Sequence, residues 1–195
     1  MADTVGKTDF EVVKSSKTRQ IRKGNVRKHI ITVKVRNEMG VLARIATLIA
    51  GKGYNIEGLS VGETHEKGIS RMTMEVIGDD IVIEQVVKQL RRLIDTLKVS
   101  DLTDVPHVER ELALIKVYTP SARARDEVLR ITEIFRGKIV DVSPDTYTIE
   151  VTGDEDKINA MTELLKPFGI KEMARTGKIA MRREMDLRDE EENNE

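Results

Sequence analysis

The residues of this chain that could do chemistry are few, and their spacing points to binding rather than bond-breaking. Asn37-Glu38-Met39-Gly40 stands between an alternating apolar stretch and an amphipathic one. Such a loop delivers the backbone to the first turn of a helix, whose free N–H groups and dipole make an anion-accepting end. Gly40 lacks the Cβ that would hold a ligand or a neighbouring backbone away. Asn37, and Asn55 beyond the helix, carry amides that both donate and accept. Taken alone, an Asn-x-x-Gly turn before a helix is more often a turn with a cap than a site. The other candidates are weaker. His29, His65 and His107 fall at a strand entry, a hairpin tip and a linker, each read as a solvated surface histidine, and none has a second histidine at the i+3 or i+4 spacing of zinc sites. His107 has Glu111 at i+4, a single pair in a linker. Glycine-rich phosphate loops and a nucleophile elbow are missing, and the carboxylates sit on helix faces and turns. With no cysteine, thiol nucleophiles, disulfides and sulfur-ligated metals are excluded, which fits a cytoplasmic protein.

The elements that must position the loop can be read from periodicity. Ile31, Val33 and Val35 alternate with Thr32, Lys34 and Arg36, which predicts a strand. Val41, Leu42, Ile45, Leu48 and Ile49 form one apolar stripe at helical spacing, ended by Gly53-Tyr54-Asn55. Ile56 is out of phase with Leu59 and Val61, so the second strand needs an extra residue, and a bulge at Glu57-Gly58 would supply it. A polar turn over 64–68 leads to a strand in which Met72, Met74 and Val76 alternate with Arg71, Thr73 and Glu75. Gly78-Asp79-Asp80 then caps a helix striped by Ile83, Val86, Val87, Leu90, Leu93 and Ile94, with Asp95 on the outer face, and Leu97-Lys98-Val99 begins a closing strand. The order β-α-β-β-α-β closes, with right-handed crossovers, into a four-stranded antiparallel sheet with two helices on one face.

The pattern then repeats. A strand over 112–118 has apolar residues on both faces; Ala124, Val128, Ile131 and Phe135 trace a helix stopped by Arg136-Gly137; a strand follows over 138–142; and Tyr147, Ile149 and Val151 alternate in the next. Gly153-Asp154-Glu155 opens a helix striped by Ile158, Met161, Leu164, Leu165 and Phe168, and a last strand follows near 170–174. Val76-Ile77-Gly78-Asp79-Asp80 and Val151-Thr152-Gly153-Asp154-Glu155 mark the same corner twice. The expected fold class is therefore α+β, with two tandem ferredoxin-like (βαββαβ) domains, 29–104 and 105–183, joined around 104–111. Modules this small, with open sheet edges, tend to pack against another copy. An RNA-recognition use of the same topology would need exposed aromatics on central strands, where Met72 and Met74 stand instead.

The net charge of −1 hides an asymmetry. Residues 1–28 hold eight Lys/Arg against Asp3, Asp9 and Glu11, and residues 184–195 hold seven Asp/Glu against Arg188. Both read as solvated, disordered extensions. No apolar run approaches the roughly 20 residues that span a bilayer, and the N-terminus lacks a signal-peptide core, so neither a membrane nor a nucleic acid is expected as a partner.

With this topology, the first module resembles an ACT domain, a small regulatory unit that binds amino acids. Arg36-Asn37-Glu38-Met39-Gly40-Val41-Leu42-Ala43-Arg44, Lys52-Gly53-Tyr54-Asn55-Ile56, Ser70-Arg71-Met72-Thr73, His107-Val108-Glu109-Arg110-Glu111, Glu133-Ile134-Phe135-Arg136-Gly137-Lys138-Ile139 and Ala174-Arg175-Thr176-Gly177 occur in the order seen in the small, regulatory subunits of acetolactate synthase (acetohydroxyacid synthase). The resemblance covers about residues 29–183, leaving the two charged extensions outside it. It implies a non-catalytic chain, with no cofactor of its own, that activates a separate large subunit and confers feedback inhibition by a branched-chain amino acid, valine foremost. The large subunit would carry thiamine diphosphate, Mg²⁺ and FAD and condense pyruvate with pyruvate or 2-ketobutyrate in valine, leucine and isoleucine biosynthesis. It further implies a homodimer through the ACT domains, with the effector at the interface. The first-strand loop of one copy, Asn37, Glu38, Met39 and Gly40 with Val41 and Leu42 opening the helix, would face Asn55 and Ile56 of the other. The N–H groups of Val41 and Leu42 would take the carboxylate, and Met39, Val41, Leu42 and Ile56 the apolar side chain. The alternative is an activating scaffold that binds the large subunit but has lost feedback.

Overall fold

The computed structural model describes residues 26–51 and 53–184. The expectations placed on residues 1–25 and 185–195, which make up most of the two charged extensions, lie outside the described residues. Two consecutive βαββαβ modules are present. The first comprises β1 (Val26–Arg36), α1 (Val41–Ala50), β2 (Ile56–Glu63), β3 (Ile69–Asp79), α2 (Asp80–Leu90) and β4 (Thr96–Asp101), in a sheet of order β2-β3-β1-β4. The second comprises β5 (His107–Tyr118), α3 (Ala122–Ile134), β6 (Lys138–Val142), β7 (Thr146–Gly153), α4 (Glu155–Leu165) and β8 (Ile170–Arg175), in the order β6-β7-β5-β8, with β9 (Ile179–Arg182) pairing β5. All the pairings are antiparallel.

Period-two alternation sends Ile31, Val33 and Val35 of β1 and Met72, Met74 and Val76 of β3 to one face. There they meet Val41, Ile45 and Ile49 of α1 and Ile83, Val86, Val87 and Leu90 of α2 in one buried cluster. In the second module Ala113, Ile115, Val117, Ile149 and Val151 meet Val128, Ile131, Ile158, Met161 and Leu165. The bulge expected in β2 is present, since the register against β3 shifts between Ile56 and Gly58. Gly78 and Gly153 repeat for a steric reason: a Cβ would lie 3.1 Å from the Ile83 side chain at the first and 2.5 Å from the Lys157 side chain at the second. The aspartates that follow cap α2 and α4, accepting from the N–H of Ile81 and of Lys157, both at 2.9 Å.

Several boundaries differ from the sequence reading. β1 begins at Val26, inside the stretch assigned to the N-terminal extension, because Val26, Arg27 and Lys28 pair with Asp79, Gly78 and Ile77 and Arg27 is held by Asp80 and Asp104. α2 stops at Leu90 in successive turns, leaving Ile94 84% exposed, while Asp95 is 6% exposed instead of lying on an outer face. β5 begins at His107, so the junction between modules is shorter than expected. The outer face of β5 is open, with Leu114 and Tyr118 exposed. His29 is buried at 1% exposure, its Nδ1 3.3 Å from the Thr103 hydroxyl, and is not the solvated residue expected; His65 is.

Candidate functional site

β1 ends at Arg36, and the chain turns through Asn37, Glu38, Met39 and Gly40 into α1. The turn is anchored by the Asn37 N–H donating to the Gly68 carbonyl at 2.8 Å, which ties it to the β2–β3 hairpin. Lys34 reaches the same hairpin at Glu66, 2.5 Å away, and its ammonium holds the Glu66 carboxyl below the usual range. On the other side, Arg44 of α1 binds Asp95 at 2.7 Å, and the Asp95 carbonyl accepts the Arg36 N–H. Asp95 is thus a positioning residue of the corner that periodicity conceals, because the apolar stripe of α2 runs past the end of the helix into turns.

Gly40 occupies the N-cap of α1 with φ 85°, a left-handed conformation that an L side chain rarely adopts, and no side chain caps the helix. A Cβ built at Gly40 meets nothing within 4 Å. The corner is therefore open: Asn37, Glu38 and Gly40 are exposed, and Met39 is fully so. Leu42 is 43% exposed at the first turn, whereas the Val41 side chain is buried in the core and the Val41 N–H donates to the Glu38 carbonyl at 3.4 Å, a long bond that a ligand would have to replace.

Asn55 is exposed and Ile56 half-buried, at the start of β2. One protomer does not bring these two groups together. Arg36 pairs with Ile69 while Ile56 pairs with Val76, seven residues further along β3. That separation is about 23 Å, several times the length of an amino acid. A groove of about 780 Å³ lies elsewhere, between the open face of the first sheet and β9, lined among others by Ser60, Arg71, Thr73, Val108, Ile179 and Met181. None of the residues of the candidate effector site lines it, although His65 at the hairpin tip does. Among the described residues no helix is long and apolar enough to cross a membrane, and no group of three or more acidic or histidine side chains is placed to hold a metal ion.

Two family models match the chain, one described as the AHAS small subunit-like ACT domain over residues 31–98 and one as the small subunit of acetolactate synthase over residues 110–184. The chain is 90% identical over 191 residues to the acetolactate synthase small subunit of Aquifex aeolicus, spanning 98% of this chain and 99% of that one. It belongs to the acetolactate synthase small-subunit family. The isozyme 3 small subunit of Salmonella typhimurium is 44% identical over 157 residues, 80% of this chain and 96% of that one. The crystal structure of the acetolactate synthase small subunit from Thermotoga maritima matches with a TM-score of 0.76 and 42% identity, covering 82% of this chain and 99% of that one. Membership of the acetolactate synthase small-subunit family, with an ACT-type first module, implies a regulatory role beside a catalytic large subunit.

Proposed function

We propose that two copies of this chain join through their β2 edges, and that the two crevices so formed each hold a branched-chain amino acid, valine first among them, which signals to the large subunit. The observation that carries this reading is the uncapped, left-handed corner at Gly40, where helix N–H groups meet no side chain of their own protomer.

Register supports the completion of the site by a second copy. Glu63 and Val35 both pair with Ser70, so β2 finishes at the same end of the sheet as β1. β2 is an edge strand, and edges of this kind seek pairing or cover. An antiparallel β2–β2 pairing about a two-fold near the middle of the strand carries the partner's strand start towards the Asn37-Glu38-Met39-Gly40 corner. The zwitterion then meets first-turn N–H groups for its carboxylate, Asn37 and the facing asparagine for its ammonium, and Met39 and Leu42 for its side chain. For a metabolite of this size the affinity is about 10 μM to 1 mM, or about −7 to −4 kcal/mol. Coupling to catalysis is about 1–3 kcal/mol. Thiamine diphosphate, Mg²⁺ and FAD belong to the large subunit in this reading, and this chain raises that subunit's activity when valine is absent.

The test is to mix the full chain with its large subunit and measure acetolactate formation with and without valine, with leucine and isoleucine as comparisons. Stimulation without valine and inhibition with it are expected. Stimulation that no amino acid reverses would leave the activating-scaffold alternative, and the absence of any stimulation would end both readings.

A further inference from the structure

β8 and β9 follow one line along β5, with Ala113 opposite Arg175 and Arg110 opposite Ile179. Thr176, Gly177 and Lys178 therefore stand opposite only Glu111 and Leu112, one residue too many, and the chain bulges out of the sheet. Thr176 is fixed to β5, its N–H donating to the Leu112 carbonyl at 3.0 Å and its hydroxyl accepting the Leu112 N–H at 3.1 Å. Gly177 has φ 73°, and a Cβ there would lie 3.3–3.4 Å from the backbone of Leu59, so the bulge presses on β2 of the first module.

Lys178 is the residue the bulge delivers. It is only 6% exposed, and its Nζ lies 3.0 Å from Glu75 of β3, 2.8 Å from Glu155 at the first turn of α4 and 3.4 Å from Glu109 of β5. Lys28 of β1 shares two of these partners, at 2.9 Å from Glu155 and 3.4 Å from Glu75. Burial opposes the charge on Lys178, but the carboxylates of Glu155 and Glu75 outweigh it and raise its pKa. On the other side, Glu75 fills the space beside Gly58, where a Cβ would meet its Oε2 at 2.5 Å. Gly58 pairs with Glu75 just past the β2 bulge, where Glu57 is the extra residue between Ile56 and Gly58. Any displacement of the start of β2 therefore bears on Glu75, and through it on Lys178.

A junction held by buried ions tolerates few alternative geometries, because each misplaced partner leaves a charge unpaired. We propose that Lys178 is a positioning residue that couples the start of β2, the segment that faces the effector corner of the partner copy, to the second module, receiving from Glu75 and delivering to Glu155. This rests on the reading that an amino acid binds at the Gly40 corner.

The experiment uses the full chain, free and mixed with the large subunit. Calorimetry gives valine binding to the free chain, and acetolactate assays give stimulation and its reversal by valine. For Lys178→Met, valine binding to the free chain should stay within about threefold of the original while the half-inhibitory valine concentration of the mixture rises about tenfold. Lys178→Arg, which keeps the charge, should restore inhibition. Glu75→Gln, nearly the same shape as the original, should reproduce the loss, and the double variant should be no worse than either single one. It also serves should Lys178→Met not fold. Unchanged inhibition in Lys178→Met or in Glu75→Gln, with valine still bound, overturns the coupling and leaves the effector site standing. No valine binding by the original chain overturns the effector site, and the coupling with it.

Discussion

The two modules share a topology and a helix-opening motif, yet the corners after their first strands are built in opposite ways. In the second module the turn into α3 is closed by its own side chains. The Ser121 hydroxyl accepts the Ala124 N–H at 3.2 Å, and the Arg125 guanidinium donates to the carbonyls of Thr119 and Pro144. In the first module the same corner carries Gly40 in a left-handed conformation, no capping side chain and open space beside it. A helix N-terminus satisfied from within is a structural joint. One left bare is open to an anion from outside. On the proposed reading this difference puts the ligand at the first module and leaves the corner of the second a structural joint, although their sheets are alike.

The sharpest way to break this contrast is to fill the open corner. Gly40→Asp puts a carboxylate where the effector's own carboxylate would lie and also forces a side chain into the left-handed region. Valine inhibition of the reconstituted enzyme should fall about a hundredfold or vanish, read as a valine titration, with stimulation of the large subunit retained. Wild-type inhibition in Gly40→Asp would remove this corner from the site.

Matched residues one step after the second-helix caps, Asp80 and Glu155, sharpen the contrast further. Asp80 is half-exposed and pairs with Arg27 at the surface, whereas Glu155 bridges Lys178 and Lys28, whose hydrogen bonds hold its carboxyl down to about 2. A carboxylate with a depressed folded-state pKa stabilises the native state above its unfolded value, and that stability is lost as pH falls towards the folded one. Melts should therefore show a loss between about pH 4.5 and 2 that is smaller in Glu155→Gln and unchanged in Asp80→Asn, the rest of it coming from other carboxyls held low, Glu66 among them. A similar acid slope in the two variants would mean that the cluster does not tie the modules together.

Most of the fold could be read in the chain because its signals are local. The alternation in β1 and β3, the out-of-phase Ile56 that demanded a bulge and the repeated Gly-Asp corner each reflect one strand or one turn. What could not be read depends on where distant segments meet. Lys178 and Glu75 are ordinary surface residues by pattern, and only the one-residue excess between β8 and β9 buries them together. His29 looked solvated because the loop at Thr103 that covers it is far along the chain. Asp95 was hidden by a stripe that continued past the end of α2 into turns. The candidate corner was legible as a turn, but its lack of a cap and its distance from Asn55 needed coordinates.

The smallest effect belongs to the closed corner, and it tests whether closure there is only structural. Ser121→Ala removes the acceptor for the Ala124 N–H and should cost about 1 kcal/mol, while Ser121→Gly should cost only a few tenths because glycine is itself a tolerated cap. On a chain of this length, 1 kcal/mol corresponds to a fall of about 2–4 °C in Tm. Neither variant should alter valine inhibition, since nothing at this corner is offered to a ligand. If Ser121→Gly instead gave the second module a measurable affinity for valine in calorimetry, the bare helix end alone would be the recognition element. The partner strand would then add less than its position suggests. If it gave none, the result would agree with the proposed site, in which the facing edge of a second copy completes the open corner because the two groups stand about 23 Å apart in one protomer.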